Sequence, residues 1–235
     1  MRVAVINYTG TVGKTTVAAH LLAPRMHGAP IFAIETVNQS ASDLGLESET
    51  MKGDKFAGLF KKLLALDDAI IDVGASNVED FLDRMIKFED SHDEIDFFVV
   101  PVTPGGKEQR ETILLIEALA SAGVPKAKVR VLFNRVDTDP EDEFKQVFAY
   151  AKLKKTCVAN PEAALFESDI FDMLSAKRMS LGALMADETD YRAAMRTADK
   201  ADKKAYNHMS DMHLLKSLSK PAIRQLDKAF DALFA

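Results

Sequence analysis

The residues best suited to chemistry stand near the N-terminus, in the run Asn7-Tyr8-Thr9-Gly10-Thr11-Val12-Gly13-Lys14-Thr15-Thr16. A glycine-bearing loop, a lysine and adjacent hydroxyls, placed after a short apolar run and before a helical pattern over 17–26, form an arrangement that binds phosphate. Backbone N–H groups from Gly10 through Thr11, Val12 and Gly13 to Thr16 present partial positive charge to an anion. Lys14 reaches terminal phosphates, and the Thr15 hydroxyl can ligate Mg²⁺. The match to G-x-x-x-x-G-K-[ST] is incomplete, because Tyr8 stands where the first glycine would be. Gly-Lys-Thr also recurs by chance, so an ordinary strand-to-helix turn is the plain alternative.

Such groups work only if a scaffold presents them together. Short apolar runs alternate with helical patterns along the chain, the rhythm of parallel strands joined by crossover helices. Strands are predicted over residues 2–7, 30–35, 68–73, 96–102, 128–134 and, more weakly patterned, 156–159. Most are almost continuously apolar, as strands covered on both faces must be. Phe56, Leu59, Phe60, Leu63 and Leu64 share one helical stripe, and Val78, Phe81, Leu82, Met85 and Ile86 another. Asn77 stands where it would cap the second. Further helices are predicted over 107–122, after Gly105-Gly106, and over 140–152. Beyond about residue 175 only helical patterns remain, and the last helix is expected to begin after Pro221. The expected fold is a doubly wound, mainly parallel α/β sheet, with a nucleotide-binding body over 1–175 and a helical region over 176–235 packed on it.

Composition narrows the class. With 47% hydrophobic residues in 235 and no low-complexity tract, the chain can bury a sizeable core, which excludes wholesale disorder. Acidic side chains outnumber basic ones, 36 to 30, so DNA contact would need a local patch instead of a general basic coat. One cysteine, Cys157, permits no internal disulfide, and no apolar run reaches the ~18–20 residues of a membrane span. A cytoplasmic location is the expectation.

The loop over 7–16 resembles the deviant phosphate loop of the ParA/MinD family, N-Q-K-G-G-V-G-K-T-T, which tolerates a non-glycine at the Tyr8 position. The resemblance extends over most of the first 160 residues. Phe32-Ala33-Ile34-Glu35-Thr36-Val37-Asn38-Gln39 is similar to the family's second strand and first switch, and Ile70-Ile71-Asp72-Val73-Gly74-Ala75-Ser76 to its Walker B strand and second switch. Residues 97–104 resemble the next core strand, and Val131-Leu132-Phe133-Asn134-Arg135 the strand ending in a base-contact pair. The resemblance implies ATP or ADP with Mg²⁺ as ligand. Lys14 would hold the β- and γ-phosphates, Thr15 and Asp72 would serve the metal, Asn134 would meet the adenine edge, and residues 157–161 would lie near the base. It further implies an ATP-dependent homodimer and a DNA-binding adaptor protein on a plasmid as partners, and is nearest to plasmid-stability or conjugation-associated members of StbB type.

Two departures stand out. The family's signature lysine falls on Thr9, which carries no charge, and the first-switch aspartate falls on Val37. A cation at such a position contributes ~10³–10⁵-fold to phosphoryl transfer, so the expected activity is slow or partner-dependent. Lys107 or Arg110 would be substitutes, against the plainer reading of solvated helix-start residues. A metabolic ATP-dependent ligase on the same fold, and a pseudo-ATPase interaction module, remain open alternatives.

Other features are read plainly. The last helix places Ala222, Ile223, Leu226, Ala229, Phe230, Leu233 and Phe234 on one face, expected to pack on the protein's own core more than on a partner or a lipid surface. Arg192, Arg196, Lys200, Lys203 and Lys204 lie among acidic residues as a solvated helix face does, as do Lys152, Lys154 and Lys155, with a DNA-contact patch as the alternative. The five histidines show no zinc-ligand spacing with Cys157.

Overall fold

The computed structural model describes residues 1–34, 46–51, 56–88 and 90–235. Glu35 and Val37, with the rest of the first-switch resemblance beyond Ile34, lie outside the described residues. Seven strands form one sheet: β1 Arg2–Val5, β2 Ile31–Ile34, β3 Glu49–Met51, β4 Ala69–Val73, β5 Phe97–Val102, β6 Val129–Val136 and β7 Ala164–Phe166. Their order is β3-β2-β4-β1-β5-β6-β7, and every pairing is parallel. The apolar runs become the central strands because both sheet faces are covered. Val3 and Val5 of β1 point into one core, Ala4 and Ile6 into the other.

The helices are α1 Lys14–Thr16, which continues as a π-helix over Val17–Leu22, then α2 Phe56–Leu63, α3 Val78–Lys87, α4 Gly106–Ser121, α5 Pro140–Glu143, α6 Lys145–Lys154, α7 Ile170–Ala176, α8 Leu181–Ala186, α9 Tyr191–Thr197 and α10 Lys203–Phe234. Buried residues of α2, α3, α4 and α6 fill the core on one face. The π-helix, α7, α8 and α10 fill the core on the other. The C-terminal helices therefore share the covering of one sheet face with the π-helix. Leu215, Ala222, Leu226, Ala229 and Leu233 of α10 are buried against it, Phe234 packs on Phe97 with ring centroids 4.9 Å apart, and Arg25 pairs with Asp227 at 2.6 Å. The amphipathic face of the last helix is spent on the protein's own core, as expected.

Several expectations need correction. The weakly patterned segment over 156–159 forms only an isolated bridge, Val158 to Arg130, while the strand beside β6 is Ala164–Phe166. The short edge strand β3 was not expected. Helix 140–152 is broken at Phe144, whose ring is buried against Phe133 with centroids 4.9 Å apart. Asn77 stands at the N-cap of α3 but makes no side-chain capping bond. The last helix does not begin after Pro221, since α10 runs through it. An internal proline costs about 3 kcal/mol, and burial of Met212 and Leu215 before it and Ala222 and Leu226 after it holds the helix continuous.

Candidate functional site

The strand order reverses around β1, with β4 on one side and β5 on the other, so the carboxyl end of β1 opens on the crevice where open α/β sheets bind ligands. The loop over 7–16 occupies that crevice. Gly10–Val12 forms a 3₁₀ turn, and Gly13 has φ +82°, a left-handed conformation natural to glycine. A Cβ at Gly13 would stand 2.7 Å from Asn134 Nδ2, so the close approach also demands glycine. Asn134 Nδ2 donates to the Val12 carbonyl (2.9 Å), and its Oδ1 accepts from the Arg135 N–H (3.0 Å). Asn134 is therefore a strut between the end of β6 and the loop.

A second strut comes from Asn7. Its Nδ2 donates to the Pro101 carbonyl and to Thr112 Oγ1, both at 2.8 Å, and its Oδ1 accepts from the Thr9 N–H (3.0 Å). Lys14 is 5% exposed, and its ammonium donates to the Thr9 carbonyl at 2.7 Å. A hydrogen bond from such an ammonium to an anion is stronger than one to a neutral carbonyl. Asp72, 1% exposed, lies beside Val5 in the register of β4 against β1, and Gly10 approaches Ala75 of the turn that follows. The fold thus gathers Gly10, Thr11, Val12, Gly13, Lys14, Thr15, Thr16, Asp72 and Asn134 around one strand end.

Thr9 is held as well. Its hydroxyl donates to the Glu111 carboxylate on α4, and Lys107 Nζ lies 3.5 Å from the same carboxylate. Lys107 is therefore beside the position that carries the charge in the resembling family, though its own partner is an acid. Glu111 had no sequence signal, because only the packing of α4 on β1 brings it there.

Next to the loop, Thr15, Thr16, Asn134, Arg135, Glu167, Ser168, Phe171 and Asp172 are among the residues lining a cavity of about 190 Å³. Its far wall comes from the end of β7 and from α7. Residues 157–161 lie elsewhere: Val158 bridges Arg130, four residues before Asn134 on β6, and Asn160 Nδ2 donates to the Ala232 carbonyl (3.1 Å). Residues 157–161 are not in the cavity lining, which instead takes residues of the Phe166–Ser175 segment. Burial pushes the Cys157 thiol up to about 11, against a smaller opposing effect of Lys126, leaving it a core residue without thiolate reactivity.

Behind the loop, His20 of the π-helix is 1% exposed and stacks obliquely on Phe171, with ring centroids 5.6 Å apart. Neither ring nitrogen has a hydrogen-bond partner among the described residues. Burial lowers its pKa to about 4. The unfolded chain protonates this histidine below about pH 6.5 whereas the folded chain keeps it neutral, so stability is full above that pH and declines as pH falls toward about 4. His20→Leu should flatten this decline, by up to about 3 kcal/mol at its acid end. Urea unfolding of both proteins between pH 7 and pH 4.5 measures it, and parallel pH profiles would refute the assignment.

The residues fit a nucleotide in one concrete respect: a loop whose left-handed Gly13 is packed on Asn134 carries a buried lysine with its ammonium on the loop's own Thr9 carbonyl. No family model matches the chain, and no curated protein matches it. Solved structures do. A chain of the MinC:MinD cell division protein complex from Aquifex aeolicus is 15% identical, with 90% of this chain and 93% of that one covered and a TM-score of 0.52. The septum site-determining protein MinD complexed with Mg-ADP from Pyrococcus horikoshii OT3 is 14% identical, with 95% and 98% covered and a TM-score of 0.50. A ParA family ATPase from Chlorobium tepidum TLS is 14% identical, with 80% and 92% covered and a TM-score of 0.50. An all-parallel seven-stranded sheet with a phosphate-type loop at its switch point and a C-terminal helix against one face is the fold of the ParA/MinD phosphate-loop proteins, and this chain has it.

Proposed function

We propose that the chain is a ParA/MinD-like nucleotide switch that binds ATP with Mg²⁺ and acts in plasmid stability, partition or intracellular DNA positioning. The observation that carries the nucleotide part is the braced loop: Gly13 pressed on Asn134, and Lys14 buried with its ammonium on the loop's own carbonyl. Lys14 and the backbone N–H groups over 10–16 would hold the phosphates, and Thr15 and Asp72 would serve the metal. Bound Mg·ATP supplies a triphosphate whose charge distribution differs from that of the diphosphate. The DNA part, with its StbB-type placement, rests on the sequence resemblance of the loop and of the strands ending at Asp72 and Asn134. Residues 1–175 form the nucleotide-binding body in this reading and 176–235 its helical complement, in a cytoplasmic protein.

Turnover is slow without a partner, because Thr9 offers a hydroxyl already engaged by Glu111 where a cation would stabilise transferring charge. As a switch, the chain must bind the two nucleotides with unequal effect, since a ligand indifferent to two states shifts neither. Sedimentation with Mg·ATP, with Mg·ADP and with neither is expected to show a dimer only with ATP. Equal binding of both nucleotides with unchanged sedimentation would replace the switch with a pseudo-ATPase module.

A further inference from the structure

The cavity beside the loop is about 190 Å³, below the ~300–1,000 Å³ of sites that enclose a whole small molecule. It suits one planar fragment of a larger ligand whose remainder lies along the open loop. Its polar wall is unusual in sign. Glu167 and Asp172 line it, and an ionised carboxylate only accepts hydrogen bonds. Asn134 spends one amide proton on Val12 and its oxygen on the Arg135 N–H.

Among the described residues Arg135 is the one cationic side chain in the lining. The register of β6 against β7 shifts between Asn134 and Val136, and Arg135 is ejected there with φ +55°, a conformation a non-glycine residue rarely adopts. Its Nε lies 4.0 Å from a Glu167 carboxylate oxygen. Glu167 is anchored by its own N–H, which donates to the Val136 carbonyl at 2.9 Å. A planar guanidinium placed this way can stack on a ring or donate to acceptors at its edge.

Resting on the nucleotide reading above, we infer that this cavity is a purine pocket that selects bases by the hydrogen-bond donors on their edge and accepts guanine nucleotides at least as well as adenine nucleotides. Guanine carries an N–H and an adjacent amino group that a carboxylate can receive together, with O6 and N7 left as acceptors for Arg135 or Asn134. Adenine offers one amino group beside ring acceptors, so it satisfies one carboxylate by a single bond. A bidentate, charge-assisted pair discriminates between bases by roughly tenfold or more.

The test compares GTP, ATP and ITP, each with Mg²⁺, by calorimetric titration. The three share their phosphates, so the loop's contribution cancels from the ratios. GTP should bind at least as tightly as ATP and about tenfold more tightly than ITP, which lacks the 2-amino group. In the Glu167→Ala/Asp172→Ala double variant the GTP-to-ITP ratio should collapse toward one; both side chains are exposed, so the fold tolerates the change. ATP binding tenfold tighter than GTP, or a GTP-to-ITP ratio unaltered in the double variant, overturns this inference alone. Absence of binding by all three overturns the nucleotide reading and this inference with it.

Discussion

Lys14→Met lowers affinity for Mg·ATP by about a hundredfold while leaving the fold in place. The methionine keeps most of the aliphatic stem that lies buried behind the loop and removes only the ammonium, which in this structure donates to the Thr9 carbonyl. The bond to the Thr9 carbonyl contributes on the order of 1 kcal/mol to the empty protein, beside the ammonium's other contacts. Loss of contacts to phosphate costs the complex more, since a hydrogen bond involving a charged group contributes ~1.5–3 kcal/mol and Lys14 serves two phosphates in the proposed complex. A loss of affinity larger than the loss of stability distinguishes a ligand lysine from a structural one. Thermal unfolding without nucleotide, beside a binding titration, measures both. Equal ATP affinity in the two proteins would return the loop to the plain reading of a strand-to-helix turn.

Gly13→Ala is expected to damage both stability and binding. Two costs add: an L-residue at φ +82° is strained by ~1–2 kcal/mol, and the new methyl would lie 2.7 Å from Asn134 Nδ2. Asn134 must then withdraw, losing its bond to the Val12 carbonyl, for a total of about 2–3 kcal/mol. Gly10→Ala is the internal control, because its Cβ meets only the Ala75 methyl at 3.9 Å, an ordinary contact. Adding Asn134→Ala to Gly13→Ala removes the clash but not the strain, so the two substitutions should be less than additive. A Gly13→Ala protein as stable as Gly10→Ala, or full additivity in the cycle, contradicts the strut.

The sequence exposed those parts of the fold whose burial leaves a mark on composition. β1, β4, β5 and β6 are largely apolar because helices cover both of their faces, and each was visible for that reason. β3, only Glu-Thr-Met at the sheet edge, has no apolar run to betray it, and β7 is three residues long behind Pro161-Glu162. The resemblance placed 157–161 near the base, whereas the described lining of the cavity beside the loop takes its far side from the end of β7 and from α7. Pro221 misled for a related reason: local propensity argues for a helix start, while burial on both sides of it decides otherwise.

The site divides in the same way. Gly13, Lys14 and Thr15 announce themselves because backbone geometry and phosphate charge demand those types at that spacing. Thr9 was legible as a missing cation, but its engagement by Glu111 was not, since the two stand 102 positions apart and only helix packing joins them. Glu167 and Asp172 look like ordinary surface acids until β7 and α7 place them beside Asn134. Asn134 itself changed meaning. The resemblance made it a base contact, and the structure adds a role bracing the loop proposed to hold the phosphates.

Amide hydrogen exchange of the wild-type protein, with and without Mg·ATP, tests the central claim most directly because it reports both binding and place. The account predicts slowed exchange over residues 10–16 and at Arg135, with smaller change in α9 and the start of α10, which lie outside the loop and the cavity. Unchanged exchange over 10–16 at saturating nucleotide, or protection confined to other segments, would contradict it.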